Sequence, residues 1–323
     1  MSTTEGIHVE GLGRPLPRLI AGTARDEFLT ATDADRILDD LSSVGVTALD
    51  TARAYLRSEE TIGDWMRRRD NRESVTIITK GCHPTPTDWR RVDPLSIRHD
   101  VDESRKQLHT DYIDLFLLHR DDPAVNVEPI IDTLNDLQQA GAIRAFGASN
   151  WTHHRIEEAN AYARAQGLTP FVASSPNFGL AVQVQDPWGF GSLTITGPEN
   201  NEARQWYRDH AIPVIAWAPL GRGFFSGRVR SDDPSSAERF LDAQALAGYA
   251  HPQNLVRLER AELIARRHDA SVPQIALAWL FAQPLETAAV VSAAGAARMQ
   301  QNLNALTITL SDTELAYLDL ATE

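Results

Sequence analysis

The sequence holds little cysteine, a deficit of positive charge and no long apolar run, and each shortage closes off a class of protein. Cys82 is its single cysteine, so no disulfide forms within the chain, which fits a reducing compartment. Lysine and arginine number 31 against 44 aspartates and glutamates, a formal charge of −13 at pH 7. A surface of that sign repels polyanions and argues against nucleic acid as a partner, although a small phosphorylated ligand responds only to the local field. No apolar stretch approaches the roughly 20 residues of a membrane-spanning helix, and the opening MSTTEGIHVEG has no signal-peptide core. A cytoplasmic protein with no membrane partner is the expectation. Internal repeats and low-complexity segments are missing too, as is any GxGxxG turn: the first apolar run leads into AGTARDEF.

What is present is an alternation. Short apolar runs rich in branched residues recur at 18–22, 46–50, 75–80, 112–119, 143–149, 171–175, 213–217 and 288–292. Continuous apolar character over so few residues suits strands buried on both faces, as in a parallel sheet. Between them lie segments with helical spacing, about 32–44, 58–69, 94–108, 127–140, 152–166, 200–210, 254–268 and 295–305. In 58–69, Ser58 reads as the N-cap, Glu59 and Glu60 suit the positive helix end, and Arg67, Arg68 and Arg69 suit the negative one. Eight such alternations predict a (β/α)8 TIM barrel, in preference to an open doubly wound sheet. We read residues 1–323 as a single barrel domain with an N-terminal β-hairpin (IHVEGLGRPLPR) and extra C-terminal helices. Residues 273–284 read as an additional helix, 180–199 as a long insertion, and 224–250 as a mobile loop around SDDPSS.

In such a barrel the chemistry gathers at the C-terminal ends of the strands. Asp50 ends the second run, Lys80 the third and His119 the fourth; Ser149 and Asn150 end the fifth, Ser175 the sixth and Trp217 the seventh. Tyr55 follows Asp50 in the loop ALDTARAYLRSEE. Singly, these have plain readings: a turn aspartate, a packing tyrosine, a solvated lysine, a core histidine. Together they place an acid, a phenol, an ammonium and an imidazole on one rim. A phenol titrates near 10, and a neighbouring ammonium favours phenolate, so Lys80 makes Tyr55 a stronger acid while Asp50 holds Lys80 charged. His119 hydrogen-bonds a carbonyl oxygen. Such a set protonates an alkoxide as it forms, which reduction of an aldehyde or ketone requires. The loops after the seventh and eighth runs, APLGRGFFSGR and SAAGAARMQQN, occupy the position where barrels bind phosphate, and Arg222, Arg228 and Arg298 supply charge there.

At this point the residues resemble the aldo-keto reductase family. DTARAY is similar to the family's DTAxxYGxxSE box, VTIITK to its lysine strand, YIDLFLLHRDDP to DLxxxHxxD, FGASN to GxSN, and AWAPLGRGFFSG to its phosphate loop, in order from about residue 7 to about residue 320. The resemblance implies hydride transfer between a nicotinamide dinucleotide and a carbonyl or alcohol, with Asp50, Tyr55, Lys80 and His119 as the catalytic tetrad. It implies that Ser149 and Asn150 hold the nicotinamide carboxamide and that Trp217 stacks on the ring. Ala218, Pro219, Leu220, Gly221, Arg222, Gly223 and Arg228 match the pyrophosphate loop. Arg298, Gln301 and Asn302 match positions around the adenosine, and Gly22 and Thr23 the first-strand turn. Three positions depart from the pattern. Leu56 stands where glycine is usual, so the backbone after Tyr55 differs or a side chain crowds the pocket. Ser175 replaces a glutamine beside the nicotinamide, and Ser292 replaces a lysine early in the last loop. Arg298 remains to meet a 2′-phosphate, so NADP(H) is favoured and NAD(H) stays open.

Aromatic walls for a substrate come from Trp89, Trp151 and Trp188, with Phe190 beside the last. Competing readings of the same residues are a non-catalytic NADPH-binding redox sensor or channel-associated subunit, metal-assisted hydrolysis at Asp50, His119 and Asp121, and a Schiff-base aldolase using Lys80. No HxH or HExxH spacing supports the metal, so none is expected, and His153–His154 reads as a solvated first helical turn capped by Thr152. The substrate, the direction, and whether the protein is a monomer or homo-oligomer are left open.

Overall fold

A computed structural model describes residues 6–85, 91–189 and 191–322. Eight parallel strands close into a barrel in sequence order. They are β1 (Leu19–Gly22), β2 (Ala48–Asp50), β3 (Thr76–Gly81), β4 (Ile113–Leu118), β5 (Ile143–Ser149), β6 (Ser174–Ser175), β7 (Val214–Ala216) and β8 (Thr287–Val291). All eight fall within a residue of the apolar runs read from the sequence. Register closes the ring, with Leu19 opposite Ala289 and Gly22 opposite Asp50.

Helices join consecutive strands and cover the outside. Their starts follow local chemistry: Asp93 accepts from the N–H groups of Leu95 and Ser96 before Pro94–Gln107, and Thr152 accepts from Arg155 before His153–Gln166. The extra helix near 273–284 is Val272–Phe281, opened by a Ser271–Gln274 capping box, and Asp312–Leu318 follows the last barrel helix.

Two expectations need correction, and a third is met by a minimal pairing. Ser58 does not cap Ser58–Arg69; it lies inside that helix, and its hydroxyl is drawn into a buried chain with Thr23 and Thr51. The N-terminal hairpin is present as one antiparallel bridge, in which Ile7 and Leu16 exchange both N–H···O bonds. Segment 224–250 is no open loop: Phe224, Phe225, Val229, Ala245 and Tyr249 are buried, and it folds into the short helices Ser236–Phe240 and Ala243–Tyr249. Its polar SDDPSS core masked these apolar anchors.

Two apolar layers result. One lies between strands and helices. The other fills the barrel, where Ile20, Ala48, Ile78, Leu115, Leu117, Ala145, Ala173, Ile215 and Ala288 meet Ile7, Val9, Leu12 and Leu16 from the N-terminal segment. Gly11 closes against the backbone of Arg144, at the start of β5, so this segment corks the N-terminal mouth. Each fully buried Leu or Ile there contributes roughly 1.5–3 kcal/mol.

Candidate active site

Strand alternation builds the opposite rim. Stepping on by twos from the interior apolar layer reaches Gly22, Asp50, Lys80, His119, Ser149, Ser175 and Trp217. The barrel filling therefore changes from hydrocarbon to polar groups at the C-terminal ends. Gly147, on the same face of β5, must be glycine: a Cβ there would lie 2.2 Å from the Ala173 carbonyl oxygen.

The Lys80 ammonium donates to both carboxylate oxygens of Asp50 at 2.7 Å and to the Thr51 carbonyl at 3.0 Å. Burial drives both groups towards neutrality and the Asp50 carboxyl pKa upward; the bidentate contact favours the ionised pair. Lys80 stands above its ordinary value: burial, the largest single influence, acts to lower it, and the Asp50 charge, Tyr55 and the hydrogen bond to Asp50 together outweigh that. Tyr55 is brought back over this pair by a tight loop in which Arg53 N–H bonds the Lys80 carbonyl and Tyr55 N–H the Ala52 carbonyl. A chain of hydroxyls, Thr51 to Ser58 to Thr23 to the Asp50 carbonyl, braces the loop from beneath. Lys80 Nζ lies 5.4 Å from the Tyr55 ring centre, acting through space because its N–H bonds are taken up elsewhere. The His119 ring meets Tyr55 edge-on with centres 5.9 Å apart. Burial, then the Arg120 and Lys80 charges, hold the His119 imidazole well below its usual pKa, and its Nδ1 has no partner. It is a neutral ring.

Leu56 neither crowds the cavity nor alters the turn. It takes a left-handed φ of 43°, the conformation glycine adopts freely, and its side chain is 76% exposed.

The tetrad lies in a cavity of about 940 Å³. Gly22, Ser149, Asn150, Trp188, Trp217, Ala218, Pro219, Leu220, Arg222, Gly223, Arg228 and Arg298 also line it. Asn150 is heavily engaged: its amide donates to Ser149 Oγ and the His119 carbonyl, and accepts from Trp217 Nε1 at 3.2 Å and Leu193 N–H at 3.0 Å. Through Leu193 the long insertion is tied across the rim, and Trp188 stands edge-on to Trp217 at 5.4 Å. In the loop after β7, Ala218, Gly221, Arg222 and Gly223 all have positive φ, turning the backbone sharply beside the cavity. Arg222 pairs with Asp242. Arg228 and Arg298 form no ion pair among the described residues; Arg298 reaches only the Ser226 carbonyl and Gln301. Burial, then Arg228, pulls the Arg298 pKa down. Asn302 is buried with both amide atoms unpartnered.

Several expected residues do not reach the cavity wall. Ser175 is fully buried with its hydroxyl on the Ile215 carbonyl, Thr23 is locked in the hydroxyl chain, and Gly221 sits behind the loop. Gln301 and Asn302 lie behind Arg298 on Ala296–Asn304. Trp151 points into the apolar layer against Phe171, wholly buried, so the structure does not bring it to a substrate. Trp89 and Phe190 fall outside the described residues. Conversely, His83, 4.7 Å from His119 ring to ring, and Arg120 line the cavity and were not anticipated. Arg120 was hidden because alternation should turn it outward; β4 ends at Leu118, its pairing carries on to the His119 N–H on the Gly81 carbonyl, and alternation is over at Arg120.

The metal reading loses its cluster: Asp50 belongs to Lys80, and Asp121 faces Arg155 at 3.5 Å. Burial raises the Asp121 pKa to about 6. Among the described residues, His153, His154 and Glu202 are the group close enough to share an ion, on the outer surface.

The Aldo/keto reductase family model matches residues 18–323. The chain belongs to the aldo/keto reductase family. It is 27% identical over 286 residues to the aldo-keto reductase str7 of Strobilurus tenacellus, covering 87% of this chain and 78% of the relative. It is 29% identical to the aldo-keto reductase yakc [NADP(+)] of Schizosaccharomyces pombe over 85% of this chain and 78% of the relative. It is 25% identical to the norsolorinic acid reductase of Aspergillus flavus over 88% and 70% respectively. As an aldo-keto reductase, the chain is an oxidoreductase of a family that uses nicotinamide cofactors. Among the described residues, no helix is long and apolar enough to cross a membrane.

Proposed function

We propose that this aldo-keto reductase exchanges hydride between NADP(H) and a small aldehyde, ketone or alcohol, with Tyr55 as the proton donor in reduction and acceptor in oxidation. The observation that carries the reading is the phenol of Tyr55 lying between a buried ammonium and a neutral imidazole on the wall of one large cavity. The rest of the cavity fits a dinucleotide. Two arginines without carboxylate partners among the described residues, Arg228 and Arg298, suit phosphate. Ser149 and Asn150 sit beside Trp217, whose indole offers a flat face. Adjacent guanidinium groups at Arg228 and Arg298 favour NADP(H) over NAD(H).

When bound, the nicotinamide supplies or accepts the hydride. The chain does the rest. His119 has no acceptor at Nδ1, so its proton belongs on Nε2, from which it donates to the substrate oxygen and orients the carbonyl. As negative charge grows on that oxygen, Tyr55 delivers its phenolic proton, and the Lys80 ammonium stabilises the phenolate left behind. Asp50 keeps Lys80 charged and immobile. An amine so held is a poor Schiff-base nucleophile, which disfavours aldolase chemistry. Trp188 and Trp217 exclude water from one side.

The test is Tyr55→Phe assayed with NADPH and a panel of aldehydes and ketones. Turnover falls by at least about a hundredfold while NADPH still quenches protein fluorescence with wild-type affinity. Near-normal turnover in that variant would remove Tyr55 from the proton step.

A further inference from the structure

We propose that the substrate cavity is built for a carbonyl compound that also carries a carboxylate, and that Arg120 is the residue that selects it. This rests on the Tyr55-centred reading above and extends it to a substrate class. Arg120 is 7% exposed and lines the cavity next to His119. A guanidinium is rich in N–H donors, yet among the described residues only Nη1 of Arg120 has a partner, the neutral carbonyl oxygen of its neighbour His119 at 3.0 Å. Nε is sealed from solvent without a partner. Among the described residues no carboxylate lies within 4.0 Å of it. The carboxylate that acts on it through space, Asp186, has its own oxygens occupied by the N–H groups of Trp188, Gly191 and Ser192 and by the Ser192 hydroxyl.

A buried cation with no carboxylate in contact is costly unless something arrives to pair with it. The remaining charges around it do not serve. Asp50 and Lys80 cancel each other, and His83 and His119 are held neutral by burial. Among Asp50, Lys80, His83, His119 and Arg120 the balance is therefore one positive charge, in a protein of formal charge −13. Nε stays sealed behind the guanidinium, and Nη2, which forms no hydrogen bond among the described residues and is not sealed, is the donor left at the cavity wall for a carboxylate oxygen. The cofactor's phosphates do not supply the missing anion, since Arg222, Arg228 and Arg298 line the part of the cavity formed after β7 and β8, whereas Arg120 follows β4 and interacts electrostatically with Tyr55. Because Arg120 adjoins His119 in the chain and shares its cavity, the carboxylate belongs within a few carbons of the reacting carbonyl. Oxo acids of short chain meet that description.

The experiment compares each oxo acid with its own methyl ester, which keeps the carbonyl and removes the charge: 2-oxobutanoate and 4-oxobutanoate against their esters, with NADPH, in the wild type and in Arg120→Met and Arg120→Lys. In the wild type kcat/KM for an acid exceeds that for its ester by at least about tenfold. In Arg120→Met the acid loses roughly ten- to a hundredfold, chiefly in KM, and the ester loses far less, so that the preference collapses; Arg120→Lys restores part of it. Removing an unpaired buried charge leaves the ligand-free Arg120→Met as heat-stable as the wild type or more so, whereas a structural arginine would leave it less stable. Equal loss on acid and ester, or a shifted pH profile on the ester, assigns Arg120 to Tyr55 and overturns the proposal. If wild type reduces esters and neutral aldehydes but prefers no acid, the carboxylate class is wrong and the reductase reading stands. If it reduces nothing, the reductase reading itself fails.

Discussion

The ammonium of Lys80 stands 2.7 Å from each carboxylate oxygen of Asp50, and both side chains are almost wholly buried. Such a pair is more consequential when broken than when formed, because the survivor is left charged where little solvent reaches it. Asp50→Asn is therefore expected to lower unfolding free energy by about 3–5 kcal/mol in urea titration, as well as abolishing turnover. A fully stable Asp50→Asn protein would mean that the lysine is neutral in the fold.

Arg298 and Arg228 face the cavity without acidic partners. Replacing Arg298 with Gln is expected to weaken NADPH binding by roughly tenfold to a hundredfold and NADH binding little, moving the enzyme towards NADH. Fluorescence titration with each nucleotide checks this, and equal weakening of both would place Arg298 on the shared pyrophosphate instead.

His119 predicts a pH dependence of stability. Its imidazole is depressed by burial in the fold but titrates near 6.5 once unfolded, so below about pH 6.5 the unfolded chain binds a proton that the folded chain refuses. Stability conferred by the neutral ring is complete above that pH and is lost as pH falls. His83, lowered by burial as well, acts with the same sign. His119→Gln should flatten the decline between neutral and mildly acidic pH in thermal unfolding; an unchanged slope would show that the ring takes up its proton equally in the folded and unfolded chain.

Much of this was legible in the residues because a buried barrel strand has no choice but to alternate. Once the runs ending in Asp50, Lys80, His119 and Trp217 were recognised as strands, their last inward positions followed. What was not legible lies where the strand rule stops. Arg120 sits one residue past an inward histidine and turns in only because the strand is over. Trp151 follows Asn150 at a rim but dives into the helix layer. Ser58 looked like a cap by type and spacing, and tertiary hydroxyl partners claimed it instead. Leu56 shows the converse: the unusual residue was evident in the sequence, while its outward direction and left-handed backbone required coordinates.

The N-terminal cork of Ile7, Val9, Leu12 and Leu16 has a kinetic corollary. With this mouth plugged by hydrocarbon, the described residues leave the opposite rim as the doorway, which on the proposed function a large nucleotide and a small organic molecule would share. Whichever seats deeper must arrive first and leave last, and a slow-departing nucleotide would set the pace of every cycle.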